Sequence, residues 1–248
     1  MRFQKRLLVL CLAMSSFAFA QDNKVLRIAH RGAMGHVTEN TVESVLKAVE
    51  MKSDAIEIDV FKVKDGALMV HHDDTLERLT NGKGNIEQYT QAELQALLVD
   101  GKYKMPTLED IIAAINRKAV LNIELKGANT AEGTYAIIQQ FKQKGWTNAD
   151  FIISSFKWDE LEKIAALDPN LDIAVLTSKE PADAIKFAHK IKAVAINPYF
   201  KTLNEKNVSK IKQAKLKIYP YTANEEKDIQ RLKDLKVDGI ITNFPERI

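Results

Sequence analysis

Eight short apolar runs, each followed by a stretch with helical spacing, recur from Val25 to the end of this 248-residue chain. The runs are VLRIAH (25–30), AIEIDV (55–60), AVLNIEL (119–125), FIISS (151–155), DIAVLT (172–177), AVAIN (193–197), KIYPYT (217–222) and GIITN (239–243). Between them, segments such as NTVESVLKAVEM, TLEDIIAAIN, TAEGTYAIIQQFKQKG, KWDELEKIAALD and NEEKDIQRLKDL repeat apolar residues three and four apart. Alternation of this kind implies parallel strands joined by crossover helices. Eight such strands predict an α/β fold, a distorted (β/α)8 TIM barrel, with LMVHH (68–72) as an extra hairpin strand after strand 2. An open doubly wound sheet is the rival, but the first strand is not followed by the glycine-rich turn of that fold. The longest irregular stretch, 74–105, holds one short helical pattern at TQAELQALL and is expected to cover substrate.

The chain opens with basic residues Arg2, Lys5 and Arg6, an apolar run, and the small-x-small triplet Ala18-Phe19-Ala20. This reads as a secretory signal peptide over 1–20, leaving one domain over 24–248 that is exported, to the periplasm, with no stable membrane anchor after cleavage. The apolar run is short for a bilayer span. The signal carries three of the 36 basic residues and no acid, so 33 basic residues then face 33 acidic ones. A neutral chain gives no support for nucleic-acid binding. The only cysteine, Cys11, leaves with the signal, so the core alone must supply stability.

The stretch DAIEIDVFKVKDGALMVHHDD (54–74) reads as a hairpin that gathers acids and histidines where a core strand would place apolar residues. Asp65-Gly66 is a two-residue turn signal. With Lys64 and Ala67 flanking it, Asp59 falls opposite His72 and Val60 opposite His71. Side chains alternate across a strand, so Glu57, Asp59 and His72 share one face and Ile56, Ile58, Val60 and His71 the other. The third strand repeats the design, with Asn122, Glu124 and Lys126 alternating with Leu121, Ile123 and Leu125. The first strand ends at His30 and Arg31. All these polar residues fall at C-terminal strand ends, the face where barrels build active sites.

Two carboxylates about 4 Å apart repel by about 4 kcal/mol at an effective dielectric near 20. Glu57, Asp59 and Glu124 together therefore call for a neutraliser, and oxygen-only ligands favour one divalent cation, Mg²⁺ or Ca²⁺, over zinc. With Arg31 and Lys126 the site retains one net positive charge, which suits a phosphodiester monoanion held by an arginine fork and a lysine point charge. His30 and His72 supply a proton-transfer pair that titrates near neutral pH.

Six motifs in order, HRG (30–32), ENT (39–41), EIDV (57–60), HDDTLERLTNG (72–82), NIELK (122–126) and VDGIITNFP (237–245), resemble the glycerophosphodiester phosphodiesterases. The resemblance spans nearly the whole chain after the signal. It implies metal-dependent hydrolysis of a small-molecule glycerophosphodiester to glycerol 3-phosphate and an alcohol. His30 and His72 would act as general acid and base, Glu57, Asp59 and Glu124 as metal ligands, and Arg31 and Lys126 as phosphate holders. Five residues depart from the family pattern. Thr38 replaces a proline, Tyr221 in PYTAN replaces a tryptophan, and Asn243 replaces an aspartate. Lys52 and Lys236 stand where helices usually end in glycine. Tyr221 and Asn243 fall at the barrel mouth, where they bear on the alcohol accepted, and Tyr221 is expected to contact substrate.

Other polar residues have ordinary readings. Glu39 and Asn40 read first as a helix cap, with support of the site residues as the functional alternative, Asp73 as orienting a neighbour or capping the loop, Arg78 as structural, and Trp146 and Trp158 as packing. Competing functions are a phospholipase D-like or inositol-phosphodiester enzyme on the same fold, a catalytically inactive periplasmic binding protein, and an amidohydrolase. The first needs an apolar interfacial loop, for which only Leu97, Leu98 and Val99 offer material. The last needs a His-x-His on the first strand, which is absent.

Overall fold

Parallel strands buried on both sides need apolar residues facing outward to helices and a graded inner face, and this chain supplies both. The computed structural model describes residues 24–248, so the signal segment and Cys11 lie outside the described residues. The first half runs β1 (Leu26–Ala29), α1 (Val42–Glu50), β2 (Ala55–Lys62), β3 (Leu68–Val70), α2 (Gln91–Gln95), β4 (Leu98–Val99), β5 (Tyr103–Lys104), α3 (Leu108–Ile115) and β6 (Val120–Leu125). The second half runs α4 (Ala131–Lys142), β7 (Phe151–Ser155), α5 (Trp158–Leu167), β8 (Asp172–Thr177), α6 (Ala182–Ile191), β9 (Ala195–Pro198), α7 (Glu205–Gln213), β10 (Lys217–Ile218), α8 (Glu226–Asp234) and β11 (Gly239–Thr242).

The eight parallel strands pair in the order β10-β9-β8-β7-β6-β2-β1-β11, with β3 antiparallel on β2. The seam between β10 and β11 carries scattered bonds: Asp238 N to Ile218 O at 3.1 Å, Ile241 N to Pro220 O at 2.9 Å and Ala223 N to Ile241 O at 3.1 Å. Pro220 has no amide proton to extend the ladder. The result is a nearly closed, distorted TIM barrel, as predicted.

Ile56, Ile58 and Val60 of β2 and Leu121, Ile123 and Leu125 of β6 lie in the main core with the helix residues Val45, Ala48, Ile111 and Ile112. The inner face is graded. Ile28, Ala55, Ala174, Ala195, Tyr219 and Ile241 form a second apolar cluster. Two or four residues further along β1, β2 and β9 stand His30, Glu57, Asp59 and Asn197. One end of the barrel is thus plugged and the other is polar.

The hairpin differs from its predicted register. Val60 pairs with Val70 and Lys62 with Leu68. Val63 N donates to Ala67 O at 2.9 Å, closing a three-residue loop, Lys64 to Gly66, with Gly66 at φ +92°. Only Gly66 takes the left-handed conformation, the pattern of a three-residue hairpin rather than a two-residue one. His71, not His72, therefore meets Asp59, through His71 N to Asp59 O at 3.1 Å. His72 still reaches the barrel mouth because β3 ends at Val70 and strict alternation no longer governs it.

The 74–105 segment also departs from expectation. It carries its own core of Leu76, Ile86, Leu94, Val99 and Met105, packed on Phe61, Val63 and Met69. Thr90 caps α2 reciprocally with Glu93. Lys52 and Lys236 sit at φ +57° and +56°, so lysine occupies the left-handed position that glycine would fill without strain.

Candidate active site

Register brings the acids together. Glu57 of β2 lies beside Asn122 of β6, and Asp59 beside Glu124. Glu57, Asp59 and Glu124 are buried, and each offers an oxygen within 4.8 Å of the others. Burial, then the neighbouring Asp59 and Glu124 charges, push the Glu57 carboxyl well above its usual range. Burial and Asp59 raise Glu124 to about 7. Burial would raise Asp59 too, but Lys126 and Arg31 outweigh it and hold that carboxyl low. This hard, oxygen-only, mutually repelling set fits a divalent cation.

Around the acids stand the predicted cations and imidazoles. Arg31 N donates to Glu57 Oε2 at 2.9 Å and Arg31 Nη1 to Glu39 Oε1 at 2.7 Å. Its Nε lies 3.5 Å from Asp59 Oδ2, a buried donor with no hydrogen bond. Lys126 Nζ donates to Glu124 Oε1 at 3.1 Å and lies 3.5 Å from Asp59 Oδ1. His30 Nδ1 is 2.8 Å from Asn243 Oδ1 and His72 Nδ1 is 2.6 Å from Asp73 Oδ1. Both partners are acceptors, so both imidazoles carry the proton on Nδ1 and leave Nε2 unprotonated. Nε2 of His30 stands 4.0 Å from Glu57 Oε2, and Nε2 of His72 accepts from Lys126 Nζ at 3.0 Å. Burial, reinforced by Arg31, lowers His30 to about 4. Burial also lowers His72.

Tyr221, with Phe156 and Tyr199, walls a cavity of about 380 Å³ whose lining includes His30, Arg31, Glu57, His72, Glu124 and Lys126. The Tyr221 hydroxyl donates to Thr177 O at 3.2 Å. Every predicted site residue thus stands at this mouth, with Asp59 beneath it. No residue of 74–105 lines this cavity, but Asp74, Asn85 and Glu87 line an adjoining one with His72 and Lys126, so the segment borders the site on the His72 side.

Several participants were read differently from sequence. The cap of α1 is Thr41, paired with Ser44, not Glu39 or Asn40. Asn40 donates to Asp59 Oδ2 at 2.9 Å and Glu39 accepts from Arg31 Nη1 at 2.7 Å, the site-supporting role that was their alternative reading. Arg78 joins Glu39 at 2.8 and 3.0 Å and also binds Asp73. Asn243, expected to bear on the alcohol accepted, holds His30. Thr38 donates to Asp100 Oδ2 at 2.7 Å, tying the flanking segment to the β1–α1 loop in a way proline could not. Ser154 and Asn197 are buried cavity residues with unpaired polar side-chain atoms. The alternation rule applied to β7 and β9, as it was to β6, would have found them.

A polar, cation-lined cavity at one mouth of a (β/α)8 barrel defines a TIM-barrel enzyme acting on a small anion. The model of the "Glycerophosphoryl diester phosphodiesterase family" matches residues 30–247, and the chain belongs to that family. It is accordingly a phosphoric diester hydrolase. It is 36% identical to a glycerophosphodiester phosphodiesterase of Bacillus subtilis (strain 168), over 90% of this chain and 85% of that protein. A namesake from Caldanaerobacter subterraneus is 32% identical, over 91% and 96%. Among solved structures, an Oleispira antarctica phosphodiesterase in complex with the product sn-glycerol-3-phosphate superposes with a TM-score of 0.82. It is 29% identical, and 89% of this chain and 94% of that one are covered.

Proposed function

We propose that this chain hydrolyses glycerophosphodiesters to glycerol 3-phosphate and an alcohol outside the cytoplasm, using one divalent cation, Mg²⁺ or Ca²⁺. The observation that carries the reading is the convergence of three buried carboxylates with two imidazoles, each held at Nδ1 by an oxygen acceptor, on one cavity. The names of the relatives support the substrate, and the basic-then-apolar opening of the sequence supports export. Among the described residues no helix is long and apolar enough to cross a membrane.

Glu57, Asp59 and Glu124 would hold the cation, which when bound supplies Lewis-acid stabilisation of charge on a phosphoryl oxygen. Arg31 and Lys126 bind the remaining phosphate oxygens, the otherwise unbonded Arg31 Nε among the donors. His30 is neutral at physiological pH and takes the proton of the attacking hydroxyl, either water, which gives glycerol 3-phosphate directly, or the adjacent glycerol hydroxyl, which gives a cyclic phosphate that water then opens. His72 is the better placed of the two to carry the acid's proton, because the Asp73 carboxylate stabilises its imidazolium against the effect of burial. Once phosphate draws Lys126 away, His72 Nε2 takes up a proton from solvent water and delivers it to the leaving alcohol oxygen. The Tyr221, Tyr199 and Phe156 wall shapes the space beside the phosphate.

A small substrate suits the cavity volume. Of the three residues that might have formed an apolar interfacial loop, Val99 is buried and Leu98 alone is well exposed, at 42%. The test is release of glycerol 3-phosphate from glycerophosphocholine and glycerophosphoethanolamine by protein lacking residues 1–20, with and without EDTA. Full activity after chelation would remove the cation from the reading, and no release from any glycerophosphodiester would remove the substrate class.

A further inference from the structure

Arg78 lines no part of the cavity, yet each of its two carboxylate partners, Glu39 and Asp73, holds a residue that does. Its Nη1 and Nη2 donate to Glu39 Oε2 and Oε1 at 3.0 and 2.8 Å, and its Nε donates to Asp73. Glu39, only 6% exposed, also takes Arg31 Nη1 at 2.7 Å. Asp73 holds His72 Nδ1 at 2.6 Å. One guanidinium therefore closes a continuous chain: Arg31, Glu39, Arg78, Asp73, His72.

The two carboxylates come from different parts of the fold. Glu39 lies in the β1–α1 loop, and Asp73 follows β3. Arg78 itself belongs to the flanking segment, where Leu76 is fully buried in that segment's own core. An isolated surface ion pair contributes little and would fix nothing. A planar fork shared between two carboxylates, one of them buried, is geometrically demanding, and lysine cannot reproduce it.

We propose that Arg78 is a positioning residue that sets the orientation of His72 through Asp73 and of Arg31 through Glu39, without touching substrate. The inference rests on the catalytic reading of His72 and Arg31. It makes the flanking segment a support of the site rather than a cover for it. Without Arg78, Asp73 is free to turn from the imidazole, and Nδ1 loses the acceptor that keeps its proton there. Glu39 would then lean on Arg31 alone and pull its fork from the phosphate position.

The experiment compares Arg78→Lys, Arg78→Met, Asp73→Asn and the double variant Arg78→Met/Asp73→Asn, all loaded with Ca²⁺ or Mg²⁺. We expect Arg78→Met to lower kcat by about 10- to 100-fold and to raise KM severalfold, because both arms of the chain are released. Asp73→Asn should lower kcat with little change in KM, since it acts on the histidine side alone. Arg78→Lys should recover part of the lost kcat, and the double variant should lose no more kcat than the worse single one. Nitrogen-15 spectra of the His72 imidazole should show one tautomer in the wild type and a mixture in Arg78→Met. Should Arg78→Met fail to fold, Arg78→Lys and Asp73→Asn still carry the kcat and tautomer readouts. A kcat within twofold of wild type for the folded Arg78 variants, or an unchanged imidazole spectrum, overturns the proposal. If the wild type cleaves no glycerophosphodiester, the functional reading falls while the spectra still decide the positioning role.

Discussion

Lys126 Nζ lies 3.0 Å from His72 Nε2 and 3.5 Å from Asp59 Oδ1, so one ammonium joins the His72 imidazole to the acid cluster. On the proposed function, replacing it by methionine removes a phosphate partner and also a positive charge beside the proposed cation position. The two effects have opposite signs for the two ligands. Lys126→Met should lower kcat/KM by about 100-fold or more, while divalent-cation affinity stays equal or rises. Steady-state kinetics and calorimetry on the same preparation check both; weaker cation binding would place Lys126 in support of the acids instead.

The carboxylates and the histidines should separate in the same experiment. Glu57→Gln and Glu124→Gln are expected to weaken Ca²⁺ or Mg²⁺ binding by at least about 10-fold and to lose activity for that reason. His30→Ala and His72→Ala should keep the cation affinity and lose about 10²- to 10⁴-fold in kcat. Calorimetry showing wild-type affinity in Glu57→Gln would refute its assignment as a ligand.

Asn243 is a neutral partner for His30 where the family pattern has a carboxylate. A carboxylate there would stabilise the imidazolium and raise the His30 pKa from about 4. The base form would then be lost at higher pH. Asn243→Asp should move the acid limb of the kcat/KM profile upward by about one pH unit or more at saturating cation. A limb that does not move would mean that another group controls it.

Glu39 supplies a pH dependence of stability. Burial would raise its carboxyl, but Arg78 and Arg31 prevail and hold it at about 2, against 4.5 for the unperturbed group. A depressed folded-state pKa gives stability that is full above about pH 4.5 and is lost as pH falls toward about 2. Thermal unfolding followed from pH 5 to pH 2 should show this loss in the wild type and a flatter curve in Glu39→Gln. Parallel curves would show that the Arg31 and Arg78 pairs add no net stability.

Gly32 sits at φ +78° with no room for a side chain: a Cβ there would lie 2.3 Å from Ser44 Oγ and 2.7 Å from the Ser44 carbonyl carbon. Gly32→Ala should cost about 2–4 kcal/mol by combining overpacking with a left-handed backbone. It should also disturb His30 and Arg31 beside it. Urea unfolding measures the first effect, and a midpoint within error of wild type would contradict the crowding.

Much of this molecule was legible as alternation. Reading every second residue of β2 and β6 outward or inward identified Glu57, Asp59, Asn122 and Glu124 as interior groups, and the same period assigned Ile56, Ile58, Leu121 and Ile123 to the helix layer. His30, Arg31 and Lys126 followed because strand ends could be placed within one or two residues. The hairpin failed by one residue because Asp65-Gly66 is compatible with two loop lengths, and only the packed strands choose between them.

Periodicity is a local property, and it determined which side chains of each strand enter the barrel and that the acids among them gather at one end. It carries no information about contacts between segments far apart in the chain. That Asn243 meets His30 across 213 positions, and that Arg78 meets Glu39 across 39, followed only from closing the barrel and folding the flanking segment on its own core. Those contacts depend on where whole elements come to rest, which no single segment encodes.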